Sequence, residues 1–599
     1  MHLSQSRFVT LRDADRREMS FAELVDEADP SRIDEQLVVT LDAQLFYSVL
    51  QALPYLVQYP YECTEQTLNR FLSTGIVSSL YDRYPAVAEM AKKLSERETR
   101  LETWDQVDPN RRLILEETPW LIEARGGGED DLINVLKPQI ATAERQAALA
   151  NLAKSQTSLG GFPWWPGGPP SPYMTLYLLQ GFSRALEFGI EIPQGLVINA
   201  WRYLQRHYVD EIVPQMMDDD CCWEFVTFLN YVLSSYPDES WTGGLFSQEQ
   251  RREMLDFSYR HWREHSPLVK SSLALTLSRS GREADAEQVW ESVMDSAKAS
   301  PDEGTYWAPE ERSWLWYNDT IEGHALALRT LTELDPEEPR RAGLVQWLLL
   351  NKKLNHWKST RSTAEVIYAL VHYLEREGTL GIREEVRVDI GSRRENRVFE
   401  PDEYTGRKNQ IVILGGDIEP ESMSTIVVEK ETKGFLFASA TWHFSTESLP
   451  EKAAGDFFSV ERRYFKRVHD GKEWVLLPLE EGARIETGDQ VEVQLSLRSR
   501  HAAEYVHLRD PRAAGFEPES TRSAYRWQYG IGWYEEIRDS GSNFFFDWLP
   551  VGEYTFRYRL RANLTGTFRV SPATVQSMYA PEFTAYSAGN LVKIETARP

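Results

Sequence analysis

Cysteine is scarce in this chain: 599 residues contain three, Cys63 and the adjacent pair Cys221-Cys222. So odd and sparse a set excludes a disulfide framework, and no CxxC spacing offers a structural zinc site. Adjacent cysteines bridge only through a strained ring, so that pair is expected to be two buried small side chains. Cys63 is left to explain. Long apolar runs are missing too: no stretch approaches the roughly 20 residues of a membrane span. Met1-His-Leu-Ser-Gln-Ser-Arg7 lacks a basic-then-apolar export pattern. Positive charge is in deficit, with 66 basic against 92 acidic residues and a net charge of −26. That balance argues against nucleic acid or an anionic membrane as the main partner, since both reward clustered lysine and arginine.

What is present suits several large cores: 42% of residues are hydrophobic and 12% aromatic. Residues 1 to about 36 are polar, with no convincing periodicity, and Gln36–Asp42 then alternates like a short strand. From about 43 to 376 amphipathic stretches follow one another, among them Leu45–Leu56, Thr64–Tyr84, Tyr173–Phe188, Cys222–Tyr236, Lys270–Ser280, Thr320–Glu333 and Ser362–Leu374. Their three- and four-residue apolar spacing predicts stacked helical hairpins. Repetition is too weak to give a period, so ring closure does not follow from the pattern. Beyond about 380 the chain reads as β-structure, in stretches such as Val386–Ile390, Gln410–Leu414, Gln490–Leu497 and Tyr554–Leu560. A boundary near Ser448–Gly455 divides this tail into two sandwich-sized units.

Cys63 stands three residues before Gln66 in Tyr59-Pro-Tyr-Glu-Cys-Thr-Glu-Gln66. Positions three apart at a helix start share a face and lie within side-chain reach. A cysteine thiolate there can attack the glutamine amide, expel ammonia and leave a thioester, which is a stored acylating agent. A lysine of another protein could then take up the Gln66 acyl group as a permanent amide. The bare motif C-x-E-Q fits equally a buried cysteine beside a helical glutamine.

Tyr-Pro-Tyr-x-Cys-x-Glu-Gln-Thr resembles the thioester segment of bacterial alpha-2-macroglobulins. The likeness continues through Leu159-Gly-Gly-Phe-Pro-Trp-Trp-Pro-Gly167, Trp357-Lys-Ser-Thr-Arg-Ser-Thr-Ala364, Tyr505–Pro518, Gly566–Ala573 and Ser577-Met-Tyr-Ala-Pro-Glu582. It implies an α/α toroid carrying the thioester, inserted in a small CUB-like β-sandwich and followed by a C-terminal macroglobulin-type β-sandwich. The implied division is 1–42 for the first strands of the CUB-like domain, 43–378 for the toroid, 379–450 for the rest of the CUB-like domain and 451–599 for the last sandwich. It also implies a non-enzymatic, cofactor-free protease-trapping inhibitor that is periplasmic, couples covalently to protease lysines, and lacks the N-terminal macroglobulin domains of the family. The alternative is a non-covalent binding or scaffold module of the same fold with an inert cysteine.

A thioester needs shielding from water, and the resemblance points to Tyr59, Tyr61, Trp164, Trp165, Tyr173, Met578 and Tyr579. Glu62 stands where bacterial relatives commonly carry glycine, and a carboxylate beside the thiol is expected to slow ring closure. No histidine lies between His2 and His207, so amines are expected to dominate over hydroxyl acceptors. His261-Trp-Arg-Glu-His265 matches H-x-x-E-H but reads as a solvated helix end, with no metal expected. Asp218-Asp-Asp220 reads as a surface turn. Gln156–Phe162 is a single imperfect copy of the terpene-cyclase repeat, so cyclase chemistry is set aside.

Overall fold

The computed structural model describes the chain apart from residues 27–28, 44, 58–62, 96–136, 302, 308–314, 353–355, 404–408, 470, 480–483, 529, 579–582 and 598–599. Its first strands, β1 (His2–Arg12), β2 (Arg16–Ser20) and β3 (Ile33–Asp42), belong to a sandwich that the chain completes only after a long helical excursion. The completing strands are β4 (Glu384–Ile390), β5 (Arg393–Phe399), β6 (Gln410–Leu414), β7 (Thr425–Lys430) and β8 (Phe435–Ser445). One sheet runs β1-β8-β3-β6 and the other β2-β7-β4-β5. Between them lie Leu11, Phe21, Leu37, Val39, Val388, Val428 and Trp442, all almost wholly buried.

The expectation of an aperiodic N-terminus is corrected here, since β1 pairs with β8 along its whole length, from His2 opposite Ser445 to Arg12 opposite Phe435. Both faces of β1 are covered, and polar residues occupy buried places. Gln5 donates to the Tyr586 hydroxyl at 2.9 Å, and the Ser6 and Thr441 hydroxyls meet at 3.1 Å. Phe8 packs edge-on against Phe457 and Phe583 of the last unit. Contacts made so far along the chain erase the alternation that betrays a one-sided strand.

The inserted helices close into a ring. The inner ones are α2 (Thr64–Arg83), α5 (Pro172–Glu187), α7 (Trp223–Ser234), α9 (Pro267–Arg279), α11 (Thr320–Leu334) and α13 (Thr360–Glu377). Each packs on the next, and α13 returns to α2. An outer layer backs them: α1 (Leu45–Val57) on α13 and α2, α4 (Pro138–Ser155) on α2, α6 (Gln194–His207) on α5, α8 (Gln248–Arg260) on α7, α10 (Glu283–Met294) on α9 and α12 (Arg340–Leu350) on α11. A further helix, α3 (Pro85–Ser95), follows α2. This alternation runs the inner helices in one direction, so their N-termini share one mouth. Inner helices bury Ser and Thr hydroxyls by bonding them to their own backbone, as Thr276 does to Ser272 and Thr330 to Leu326, each at 2.8 Å.

Periodicity marks α8 only weakly, because its apolar stripe is narrow: Met254, Leu255 and Phe257 in an otherwise polar run. The signal that would have found it is the reciprocal cap Ser247-x-x-Gln250, with Ser247 N–H to Gln250 Oε1 at 3.0 Å and Gln250 N–H to Ser247 Oγ at 3.1 Å. Cys221 and Cys222 also depart from expectation. They are half-buried rather than buried, and their sulfurs are joined. The pair precedes α7 in a turn where Asp220 and Cys222 take φ of +48° and +69°. His261 pairs with Asp220 at 3.1 Å and stacks on Trp223, while His265 bonds the Thr227 hydroxyl at 2.9 Å.

His324 gives the ring a pH dependence. Its Nε2 accepts from the Trp307 N–H at 3.2 Å, its Nδ1 lies 2.6 Å from the Thr320 carbonyl, and its ring stacks on Trp347. Only the neutral tautomer satisfies both bonds, and burial pushes the ring's pKa down to about 4. The unfolded chain therefore binds this proton more tightly, and stability is lost as pH falls from about 6.5 toward 4. The loss is on the order of 1 kcal/mol per pH unit. Thermal unfolding of His324→Phe across that range should show a shallower slope than wild type.

The last unit is a second sandwich. Its five-stranded sheet is built on Phe458–His469, Gln490–Ser499 and Gly552–Ala562, and its seven-stranded sheet on Ala503–Pro511, Ile531–Arg538, Gly541–Leu549 and Thr574–Ser577. Val493, Leu495, Val506, Leu508, Phe544, Phe546 and Phe556 fill the space between.

Candidate functional site

Cys63 is the N-cap of α2, extended at φ −73° and ψ 166°, and only 7% exposed. Gln66 is the third helical residue, and its side chain folds back so that Oε1 accepts the Cys63 N–H at 3.1 Å. The Cys63 sulfur in turn faces the Gln66 N–H, completing a capping box in which cysteine stands where serine or threonine is usual. Thr67 fixes the Cys63 carbonyl with both its N–H and its hydroxyl, each at 3.0 Å. Burial, and after it the Glu65 carboxylate, push the Cys63 thiol above its ordinary pKa, while the N–H groups of the first turn oppose the rise.

The Trp loop reaches this turn through its backbone, for the Trp164 carbonyl accepts the Thr64 N–H at 3.0 Å. The loop is stiff. Gln156 Nε2 ties the Gly160 and Leu196 carbonyls at 2.9 Å, and Gly160 sits at φ +92°, where a side chain would strike the Asn199 carbonyl. The Trp164 ring stacks on Tyr173 at 5.7 Å yet remains 48% exposed, and Trp165 is 56% exposed. Tyr173 continues the stack onto Tyr177 and meets Trp316 at 5.4 Å.

Beneath the stack lies a polar hub unseen in the sequence. Arg361 binds Glu322 at 2.6 Å, the Trp316 carbonyl at 3.1 Å and the Tyr173 hydroxyl. Thr360 donates to Glu65 at 2.9 Å, Asn69 donates to the same oxygen, and Tyr177 donates to Asn69 at 2.9 Å. First turns of α2, α5, α11 and α13 are thereby tied around Cys63. Among the described residues the carboxylate that bears on the thiol is Glu65; Glu62, Tyr59, Tyr61 and Tyr579 lie outside them.

Of the expected residues, Cys63, Gln66, Trp164 and Tyr173 come together at the ring's mouth, and Trp165 turns to solvent. Met578, half-buried on the last sandwich, donates its N–H to the Tyr505 carbonyl at 2.9 Å. Next to Tyr505, Glu504 faces Lys352, which donates to Gln51 of α1 at 2.8 Å. Burial there lowers the Lys352 amine to about 8, against the pull of Glu504 and Asp42. The three units meet at that lysine. Among the described residues no helix is long and apolar enough to cross a membrane, and no group of three or more His, Cys, Asp or Glu could hold a metal ion.

Residues 458–582 match the bacterial alpha-2-macroglobulin MG10 domain family. An alpha-2-macroglobulin homolog of Nostoc sp. is 22% identical over 460 residues, which is 74% of this chain but 23% of that protein. The chain thus spans about a quarter of that curated relative. Among solved structures, trypsin-activated alpha-2-macroglobulin from Escherichia coli aligns at 17% identity and a TM-score of 0.46, over 100% of this chain and 36% of that one. The native Escherichia coli protein from domain MG7 to the C-terminus aligns at 17% identity and a TM-score of 0.38, over 100% of this chain and 82% of that one.

Proposed function

From its kinship with the bacterial alpha-2-macroglobulins, we propose that this chain is the reactive portion of a protease-trapping inhibitor of the cell envelope, armed by a thioester between Cys63 and Gln66. The observation that carries the reading is the folded-back Gln66 side chain, its carbonyl oxygen 3.1 Å from the Cys63 N–H at a buried helix start. Ring closure joins Sγ to the Gln66 Cδ and releases ammonia. Attack by a lysine amine of the trapped protease reopens the ring, leaving an amide on Gln66 and a thiol on Cys63. No turnover follows, because the acyl group stays with its acceptor; the chain acts once and is not an enzyme.

Burial raises the Cys63 thiol, and that favours the rival reading of an inert cysteine in a binding module. One measurement separates the two. The intact mass of the native chain is expected to fall short of the sequence mass by one ammonia, beyond the two hydrogens lost in joining Cys221 to Cys222. Methylamine should then add to Gln66 and release one alkylatable thiol at Cys63, and Cys63→Ser should do neither. A chain whose Cys63 alkylates before any amine is added, and whose residue 66 is still glutamine by peptide mapping, would establish the inert module; a glutamate there would mark a thioester that formed and hydrolysed.

A further inference from the structure

The capping box at Cys63 does more than bring the two reacting side chains together. Its geometry matches the ordinary box at Ser247 and Gln250, where the N-cap N–H meets Oε1 at 3.0 Å against 3.1 Å at Cys63 and Gln66. In the serine box the two bonds only satisfy the helix end. With cysteine in place of serine, the same donors point at the two atoms on which charge develops during acyl transfer.

When an amine nitrogen bonds to the Gln66 Cδ, the carbonyl π pair moves onto Oε1, the atom that faces the Cys63 N–H. When the intermediate collapses, the Cδ–Sγ bond breaks, its electron pair passes to sulfur, and the proton from the amine ends on Sγ. That sulfur faces the N–H groups of the first helical turn. Free N–H groups at a helix start also carry the positive end of the helix dipole. We propose that the first turn of α2 is the acyl-transfer catalyst of this site, with the Cys63 N–H as oxyanion donor and the Gln66 N–H as donor to the leaving sulfur. The proposal rests on the thioester reading above.

Preorganised donors aimed at developing charge are the largest single contribution in many acyl-transfer enzymes, and here they need no separate loop. Thr67 is the positioning residue. Its hydroxyl and N–H hold the Cys63 carbonyl, and so fix the turn from which the donors project. Thr64, whose N–H is bound by Trp164, holds the following peptide. A further mark of the same turn is the Thr64 hydroxyl, buried and without a partner among the described residues.

The test is isotope-edited infrared spectroscopy of the native chain carrying carbon-13 at the glutamine δ position. A thioester whose carbonyl is bonded to the Cys63 N–H should absorb at lower wavenumber than the same thioester in the chain unfolded by denaturant. Thr67→Val should move that band back toward the unfolded position and slow the methylamine reaction about 10-fold, a fraction of what loss of a whole donor costs. Thr67→Ser should restore both. A thioester band at the unfolded position in wild type overturns the inference and leaves the thioester standing. Absence of any thioester band, together with an unchanged glutamine at position 66 by peptide mapping, removes the thioester reading itself.

Discussion

Asp510→Ala is expected to destabilise the C-terminal sandwich by about 3–5 kcal/mol, the cost of leaving a buried charge unpaired. Arg462 and Asp510 come from opposite sheets and meet at 2.6 Å with neither side chain exposed at all. Asp510 takes a second bond from the Tyr558 hydroxyl at 2.5 Å, and Arg462 donates to Asn590 at 3.0 Å. Alanine removes the only carboxylate paired to this guanidinium among the described ion pairs. It also leaves the Tyr558 hydroxyl without its acceptor. Asp510→Asn, which keeps the shape and one acceptor, should cost less. Arg462→Leu combined with Asp510→Leu should lie well above the sum of the single losses, because each single change strands the other partner. Denaturant titration followed by hydrogen exchange at the amides of Val493 and Leu508, buried in the same core, reads this unit directly. A midpoint unchanged in Asp510→Ala would show that the pair contributes nothing.

The pair shows where sequence reading stops. Arg462 stands in Phe458–His469 on the face of Phe458, Val460 and Tyr464, so alternation turns it inward, but nothing local supplies the carboxylate it needs there. Its partner lies 48 residues away. The thioester candidates were legible for the opposite reason: Cys63 and Gln66 are three residues apart, and the capping box that joins them is made by the chain's own first turn. The order of strand, helices and strands was readable from changes of period. Closure of the ring was not, because it rests on α13 returning to α2 and no repeat in the sequence encodes that contact. Only the family resemblance implied it. Likewise β1 hid behind Ser4, Gln5 and Ser6, polar residues satisfied by partners more than 400 positions away.

The polar hub at the mouth was hidden in the same way, and it carries the second large effect. Arg361→Leu is expected to cost about 3–5 kcal/mol, again by stranding a buried charge. Glu322 would keep its place between α11 and α13 without the cation that now lies 2.6 Å away. Burial already pushes this carboxyl up, with Arg361 as the largest opposing influence. In the variant the carboxyl should rise further and take up a proton, so adding Glu322→Gln should recover part of the loss. The consequence reaches Cys63 through the aromatic stack. Tyr173 loses the guanidinium at its hydroxyl, the Trp164 ring loses its fixed platform, and Trp164 holds the peptide after Cys63. On the thioester reading, Arg361→Leu should therefore hydrolyse faster at Gln66 than wild type, measured as the rate at which the native chain gains one water in mass and exposes a thiol. Arg361→Lys retains charge but cannot span Glu322, Tyr173 and the Trp316 carbonyl at once, so it should fall between. An Arg361→Leu chain with wild-type melting but faster hydrolysis would make the hub a guard of the site alone; wild-type behaviour in both would strip it of either role.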